Sequence, residues 1–273
     1  MVMEQDIFHK ISKIYRVDKE EAEFFLDLYK EFCEVYSDFM LNYNILTRNH
    51  HKNLEYFERW RTNYVTINGH VKALSLSGCK LKRIPDTIRD LNELEYLDLS
   101  RNHLKSIPDS IYDFAKKNMA EKYIEEGVNE DEAPVLSLLE IFQGRKLEKR
   151  EEKEDWEWEL GACHYEIDEK GNIKGIYING ELEEHICWLE FFPEQICELK
   201  NLENLMLSTL DIESIPDSIS NLVNLKRLVM CFNRIRKIPE SMINLSSLKE
   251  LDLRDNLIKE IPEWTEKIEN LRI

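Results

Sequence analysis

Residues 94–111 read Leu94-Glu95-Tyr96-Leu97-Asp98-Leu99-Ser100-Arg101-Asn102-His103-Leu104-Lys105-Ser106-Ile107-Pro108-Asp109-Ser110-Ile111. The frame is LxxLxLxxNxLxxIPxxI, and it recurs. Upstream, Val71, Leu74, Leu76, Cys79, Leu81, Ile84, Pro85 and Ile88 fill the same places. The step from Val71 to Leu94 is repeated without change from Leu202 to Leu225, from Leu225 to Leu248 and from Leu248 to Leu271. Pro85, Pro108, Pro216, Pro239 and Pro262 share one phase of this frame. Leu-rich amphipathic helices, with a period of about 3.6 residues, would not hold Ile-Pro at a fixed phase in repeat after repeat. A repeat of about 23 residues is instead one short strand and a return, stacked on the next.

Each residue type has a mechanical task in such a coil. In Leu97-Asp98-Leu99 alternate side chains point into the core and out to solvent. Asn102, Asn233 and Asn256 follow the strands, where a buried amide can pair with backbone groups of the turn that would otherwise go unsatisfied. Cys79 holds the same place in the first repeat, and Leu210 departs from the pattern, so the turn there should differ locally.

The frame is that of the leucine-rich repeat. Its Ile-Pro form at this period resembles the repeat of plant intracellular Ras-group-related proteins and of their animal relatives that scaffold Ras signalling; the resemblance covers residues 71–113 and about 190–273. It implies an α/β leucine-rich-repeat solenoid, a curved right-handed coil whose parallel strands line a concave face used to bind proteins. It implies no particular partner, because the repeat serves many functions.

The expected organisation is a helical N-terminal cap (1–70), a first part of the array (71–113), a helical, charge-rich insertion or second cap (114–172) and a second part of the array (173–273). In the first segment Asp18 with Glu21 makes a capping pair, and Ala22, Phe25, Leu28, Tyr29, Phe32, Tyr36, Phe39 and Met40 follow at helical spacing. An open first coil needs such a cover. Between the arrays, helices are expected at Ile111–Ile124 and around Val135–Phe142, then a charged run from Lys146 to Glu159. A second cap is favoured because Trp60, Tyr64, Gly69, Val71, Leu74 and Leu76 are partly echoed by Trp158, Tyr165, Gly171, Ile173, Ile176 and Ile178, as an internal duplication would give. The coil from Ile173 to Leu202 is longer than the others, so extra residues should bulge from it. At the far end no cap is visible after Leu271-Arg272-Ile273, which leaves Trp264 and Ile268 partly exposed and predicts weak self-association through that edge.

Composition narrows the function. The chain of 273 residues is 42% hydrophobic and 33% charged, as a folded protein is, and its net charge of −17 lacks the basic footprint of nucleic-acid binders and disfavours anionic lipid. No signal-peptide pattern, no membrane-length apolar run and no CxxC framework among the 6 cysteines is present, so a cytoplasmic protein with reduced thiols is expected. No glycine-rich phosphate loop occurs, no nucleophile–base constellation stands out, and no cofactor is expected: the chain reads as a binding protein and not an enzyme. Cys163-His164 with His185-x-Cys187 could offer four zinc ligands, but the order and gap match no standard site, and core thiols are the simpler reading. His50-His51 and the acidic run Glu151–Glu159 read as solvated surface, and Trp60, Trp156 and Trp158 as seals of the caps.

The partner is expected on the outward strand positions: Ser75, Tyr96, Asp98, Arg101, Met206, Thr209, Arg227, Val229, Phe232, Glu250, Asp252, Arg254 and Asp255. Met206, Val229 and Phe232 place apolar groups beside Arg227 and Arg254, as interface hot spots do, and the aspartates give an acidic surround. A scaffold gripping a protein with a basic and apolar face, of the small-GTPase signalling kind implied by the resemblance, is one reading. An acidic inhibitor of a basic-surfaced enzyme or nucleic-acid-binding protein is the alternative.

Overall fold

The computed structural model describes residues 17–18, 21–28, 50–51, 64–150, 163–180, 189 and 191–273. Tyr29, Phe32, Tyr36, Phe39, Met40, Trp60, Trp156, Trp158, His185, Cys187, Trp188, the run Glu151–Glu159 and the surplus of the long coil at 181–188 lie outside them. The chain divides into two compact units, Met1–Met119 and Ala120–Ile273.

The first unit contains helix α1 (21–28) and the strands β1 (His50–His51), β2 (Tyr64–Ile67), β3 (His70–Ser75) and β4 (Tyr96–Asp98), followed by α2 (Asp109–Phe114) and a π turn at Ala115–Met119. The sheet order is β1-β2-β3-β4. β2 and β3 form an antiparallel hairpin, and β4 joins β3 in parallel with Leu74 opposite Leu97.

The second unit opens with α3 (Glu121–Glu125), α4 (Ala133–Gln143), β5 (Glu148–Lys149) and the hairpin β6 (Cys163–Ile167) and β7 (Ile173–Asn179). Then come β8 (Asn204–Ser208), β9 (Arg227–Val229), β10 (Glu250–Asp252) and β11 (Asn270–Arg272), the sheet order being β11-β10-β9-β8-β7-β6-β5. β7 to β11 are parallel, and Ile176, Leu205, Leu228, Leu251 and Leu271 stand in one row across them. All but the last are buried. The helix expected from Ile111 to Ile124 is thus three pieces, α2, the π turn and α3, and the one expected around Val135–Phe142 is α4.

The Ile-Pro phase explains the returns. Pro85, Pro193, Pro216, Pro239 and Pro262 each precede a five-residue 3-10 turn, and Pro108 precedes α2. In each, the proline carbonyl accepts the N–H three residues on, as Ile88 does from Pro85 at 3.1 Å and Ile219 from Pro216 at 3.1 Å. A fixed φ and no N–H to satisfy suit proline to that entry.

The duplication expected from sequence has a hydrogen-bond skeleton. Tyr64 lies opposite Leu74 and Tyr165 opposite Ile176, and both hairpins bulge just after, at Val65/Thr66 and at Glu166/Ile167. Both receive a two-residue parallel strand on the outside, β1 on β2 and β5 on β6. The helices repeat as well. Asp18 N–H donates to the Gly69 carbonyl (3.1 Å) and Asn129 N–H to the Gly171 carbonyl (2.9 Å). Glu21 accepts the Val71 N–H, and Glu132 accepts the Ile173 N–H. The expected pairing of Asp18 with Glu21 is present in one direction, Glu21 N–H to Asp18 Oδ1 at 2.9 Å. The Glu21 carboxylate reaches to the hairpin and not back to Asp18.

Where each strand turns away, the residue before the asparagine place is left-handed: Gly78 (φ 68°), Arg101 (58°), Thr209 (61°), Phe232 (55°) and Asp255 (57°). Asn102, Asn233 and Asn256 then bridge two coils. Asn233 Nδ2 donates to Met230 and Leu207 carbonyls (3.0 and 2.7 Å), and its Oδ1 takes the N–H of Ile212 (3.0 Å) in the coil before. Asn102 makes the same set with Leu99, Leu76 and Leu81, and Asn256 with Leu253, Met230 and Ile235.

Candidate binding face

The thirteen outward residues fall in two places. Ser75, Tyr96, Asp98 and Arg101 belong to the first unit; Met206, Thr209, Arg227, Val229, Phe232, Glu250, Asp252, Arg254 and Asp255 belong to the second.

In the first unit Tyr96 is half-buried against Val65 and Ala73. Asp98 is buried and fully used: its Oδ1 takes the Ser100 N–H (3.0 Å) and hydroxyl (2.6 Å), and its Oδ2 takes the hydroxyl of Ser75 (3.0 Å), itself buried. It closes the turn, as an Asx residue does two places before a free N–H. Arg101 is half-buried in its left-handed place.

In the second unit the outward row crosses the sheet as His164, Tyr177, Met206, Val229, Asp252 and Arg272. Solvated apolar groups were expected at Met206 and Val229. They are instead 8% and 1% exposed and pack with Tyr177 and Cys231 into a separate cluster. Strands about 4.8 Å apart bring same-row side chains into mutual contact, so an outward place next to other large side chains is not an exposed one.

The charges are arranged the same way. Arg227 lies with its fork on Glu250, Nη2 to Oε1 at 2.9 Å and Nε to Oε2 at 2.9 Å. Asp252 is completely buried and bound by Arg254 (Nη2 to Oδ2 2.7 Å, Nε to Oδ1 2.9 Å), with Arg272 Nη1 at 3.7 Å. The carboxylate in turn holds the Arg254 guanidinium further toward its charged form. Asp98 and Asp252 are therefore not the open acidic sites the sequence suggested, and Asp255 is the exposed aspartate of the three.

Thr209 is half-buried, with its hydroxyl on Asn179 Oδ1 (3.2 Å). Phe232 is 48% exposed, held left-handed, its N–H on the Arg254 carbonyl (3.0 Å). In sequence it is the residue after Cys231 of the buried cluster.

Sequence reasoning missed the head of this row. Tyr177, next to Ile176 in the echoed strand, donates its hydroxyl to Glu166 (2.9 Å) and stacks on His164 with ring centroids 4.7 Å apart. Burial, then the neighbouring Glu166 charge, pushes the Tyr177 hydroxyl well above its ordinary range, so it stays a donor. Gly175 makes the pair possible: a Cβ there would sit 2.5 Å from the Tyr177 hydroxyl and 2.9 Å from Glu166 Oε2. The signal was the echo itself, which places Tyr177 in the outward register of Met206.

Among the described residues no group of three or more His, Cys, Asp or Glu side chains is placed to hold a metal ion. Cys163 donates to Gln143 Oε1 (3.2 Å), and the other half of the considered zinc set lies outside the described residues. Cys79, Cys163, Cys197 and Cys231 are unbridged thiols; burial pushes Cys79 up to about 12 and Cys197 to about 11. No helix among the described residues is long and apolar enough to cross a membrane. Trp264 and Ile268 near the last strand are half-buried.

Comparison with known proteins follows the repeats. Residues 223–273 and 93–114 each match a leucine-rich-repeat family model. No curated protein sequence is significantly similar to the chain. Solved structures that resemble it include a leucine-rich-repeat protein of Leptospira interrogans (22% identity, 70% of this chain and 39% of that one, TM-score 0.33). A second is the ectodomain of the Arabidopsis thaliana receptor kinase GASSHO1/SCHENGEN3 in complex with Casparian strip integrity factor 2 (19% identity, 89% and 25%, TM-score 0.31). A third is internalin C2 of Listeria monocytogenes (16% identity, 74% and 79%, TM-score 0.29). The chain thus spans about two fifths of the Leptospira protein and a quarter of the receptor ectodomain. With the constant repeat frame, the parallel ladder and the bridging asparagines, the family models make the fold an α/β leucine-rich-repeat solenoid.

Proposed function

We propose that the chain is a protein-binding scaffold of the cytoplasm, which grips its partner on the outward strand face of the second unit. The observation that carries this reading is Phe232: a large aromatic at 48% exposure, fixed in a left-handed turn, beside the exposed Arg254 and Asp255. A backbone already fixed in its turn adds little ordering cost when the ring is buried by a partner, and a charged surround favours a complementary polar rim. The unbridged thiols support the cytoplasmic part. A small-GTPase type of partner is supported by the Ile-Pro phase alone.

The charge-mimicking inhibitor is the weaker reading, since Asp98 and Asp252 spend their charge inside the protein. Salt separates the two. An apolar anchor should hold its partner as ionic strength rises, whereas charge mimicry should fade over the range in which the Debye length falls from about 10 to 3 Å.

The test is affinity capture from native lysate with the wild-type chain and Phe232→Glu. Val229 is unsuitable for such a variant, because a charge at a buried place unfolds the coil. We expect Phe232→Glu to keep its circular dichroism and melting temperature and to lose the specific partner at least tenfold. A folded Phe232→Glu that retains every captured protein would refute the site.

A further inference from the structure

Val17-Asp18 with Glu21-Ala22 and Val128-Asn129 with Glu132-Ala133 occupy the same place in their units, and their shared backbone bonds make the same junction between helix and hairpin. The side chains around the central glutamate differ. In the second unit the residue whose carbonyl takes the Ala133 N–H, as Asp18 takes that of Ala22, is Asn129, and the residue between the turn glycine and Ile173 is Asn172; the two amides bond each other, Asn129 Nδ2 to Asn172 Oδ1, at 2.6 Å. In the first unit the corresponding residues are Asp18 and His70, and both ionise.

Glu21 is 2% exposed and binds the Val71 N–H with both oxygens, at 3.2 and 3.0 Å. The imidazole that faces it, His70, has Nδ1 3.6 Å from Glu21 Oε1, but the same nitrogen is 3.4 Å from Asp18 Oδ2 and the other is 3.5 Å from Glu93 Oε1. Lys72 is itself taken by Glu93 (3.1 Å) and Glu95 (2.9 Å). Three carboxylates therefore share one half-exposed imidazole, and the most buried of them is the one that holds the hairpin. Glu132, by contrast, is only half-buried.

We propose that the first helix–hairpin junction is a proton-operated latch, tight when Glu21 takes up a proton and loosened when it gives the proton up, while its copy in the second unit responds less over the same range. Protonated, Glu21 still accepts the Val71 N–H through its carbonyl oxygen, and it no longer buries a charge beside Asp18. Burial first, and the Asp18 charge after it, lift Glu21 from its ordinary 4.5 to about 7, against the pull of the Val71 N–H and of His70. A folded value above the unfolded one means that the contribution is complete below pH 4.5 and is lost as the pH climbs through 7. Glu132 is raised too, by burial and then by Asp168 against the Ile173 N–H, so the second junction should respond in the same sense but less.

Hydrogen exchange of the full chain, corrected for the intrinsic rate, reads both junctions at once at the Val71 and Ile173 amides. Between pH 5.5 and 8.5 we expect protection of Val71 to fall at least tenfold and that of Ile173 by no more than threefold. Glu21→Gln, which mimics the protonated acid, should flatten the Val71 profile. Parallel profiles at the two amides, or an undiminished slope in Glu21→Gln, would overturn the latch. Should that variant fail to fold, a side-chain carbon NMR titration of Glu21 in the wild-type chain decides: a midpoint clearly above 4.5 supports the latch, and one in the ordinary carboxylate range refutes it.

Discussion

The turns at Asn233 and Leu210 are neighbours in the second array and solve the same problem with different atoms. At Asn233 the side-chain Oδ1 reaches back one coil to the Ile212 N–H (3.0 Å). At Leu210 there is no amide, and the backbone carbonyl of Leu210 takes the corresponding N–H, that of Leu189, at 3.0 Å. The peptide can turn that way because the next residue, Asp211, is left-handed (φ 63°). Among the described residues, Cys79 is another array position without asparagine and is likewise followed by a left-handed residue, Lys80 (φ 56°), whereas none follows Asn102, Asn233 or Asn256. The repeat requires an acceptor at this place more than it requires asparagine, and a coil that lacks the amide obtains the acceptor from its own backbone at the cost of a second strained residue.

The largest effect should come from removing the amide where two coils depend on it. Asn233→Ala leaves the Ile212 N–H and the Leu207 and Met230 carbonyls buried without their partner, and Leu210 N–H loses a bond of 3.2 Å. At about 1–3 kcal/mol for a buried group left unsatisfied, and allowing for partial repair by water, the loss should be about 3–5 kcal/mol by denaturant titration. Asn256→Ala, at a half-buried place next to the last strand, should lose about 1–2 kcal/mol. Equal losses at the two would mean that burial does not set the value of the bridge.

The middle effect tests whether the two solutions are interchangeable. Leu210→Asn restores the consensus residue in a coil whose Leu189 N–H is already taken, and it replaces a side chain that is wholly buried. We expect destabilisation of about 2–4 kcal/mol, from lost apolar burial and an amide with too few partners. A more stable Leu210→Asn would show that the asparagine turn re-forms and that the backbone solution is only a fallback.

This contrast also marks what could be read from the residues alone. The Ile-Pro phase located the returns, and the missing amide at 210 located an irregular turn, because each is written at a fixed phase of the repeat. The outward face was not legible in that way. Whether Met206, Val229 or Asp252 meets water is decided by Tyr177 and Arg272 on neighbouring strands and by Cys231 and Arg254 just past the strand ends, and alternation within a strand carries no record of them. The duplicated junction was half legible: the hairpins showed their echo in aromatic and glycine spacing, but Val17-Asp18 and Val128-Asn129 share too few residues to be noticed until both are seen donating to a turn glycine.

The smallest effect isolates the second left-handed residue itself. Lys80 is exposed at φ 56°, a conformation that costs a residue with a Cβ about 1 kcal/mol and glycine nothing. Lys80→Gly should therefore raise stability by about 0.5–1 kcal/mol, a gain partly offset by the greater freedom of glycine in the unfolded chain. Leu257 occupies the equivalent place after Asn256, is also exposed, and is not left-handed. There the same substitution relieves no strain, and only the entropic penalty remains, so Leu257→Gly should lower stability by about 0.5–1 kcal/mol. Opposite signs at two matched surface places would assign the strain to the coils that lack asparagine. If both glycines destabilise, the left-handed geometry after Cys79 carries no strain to relieve.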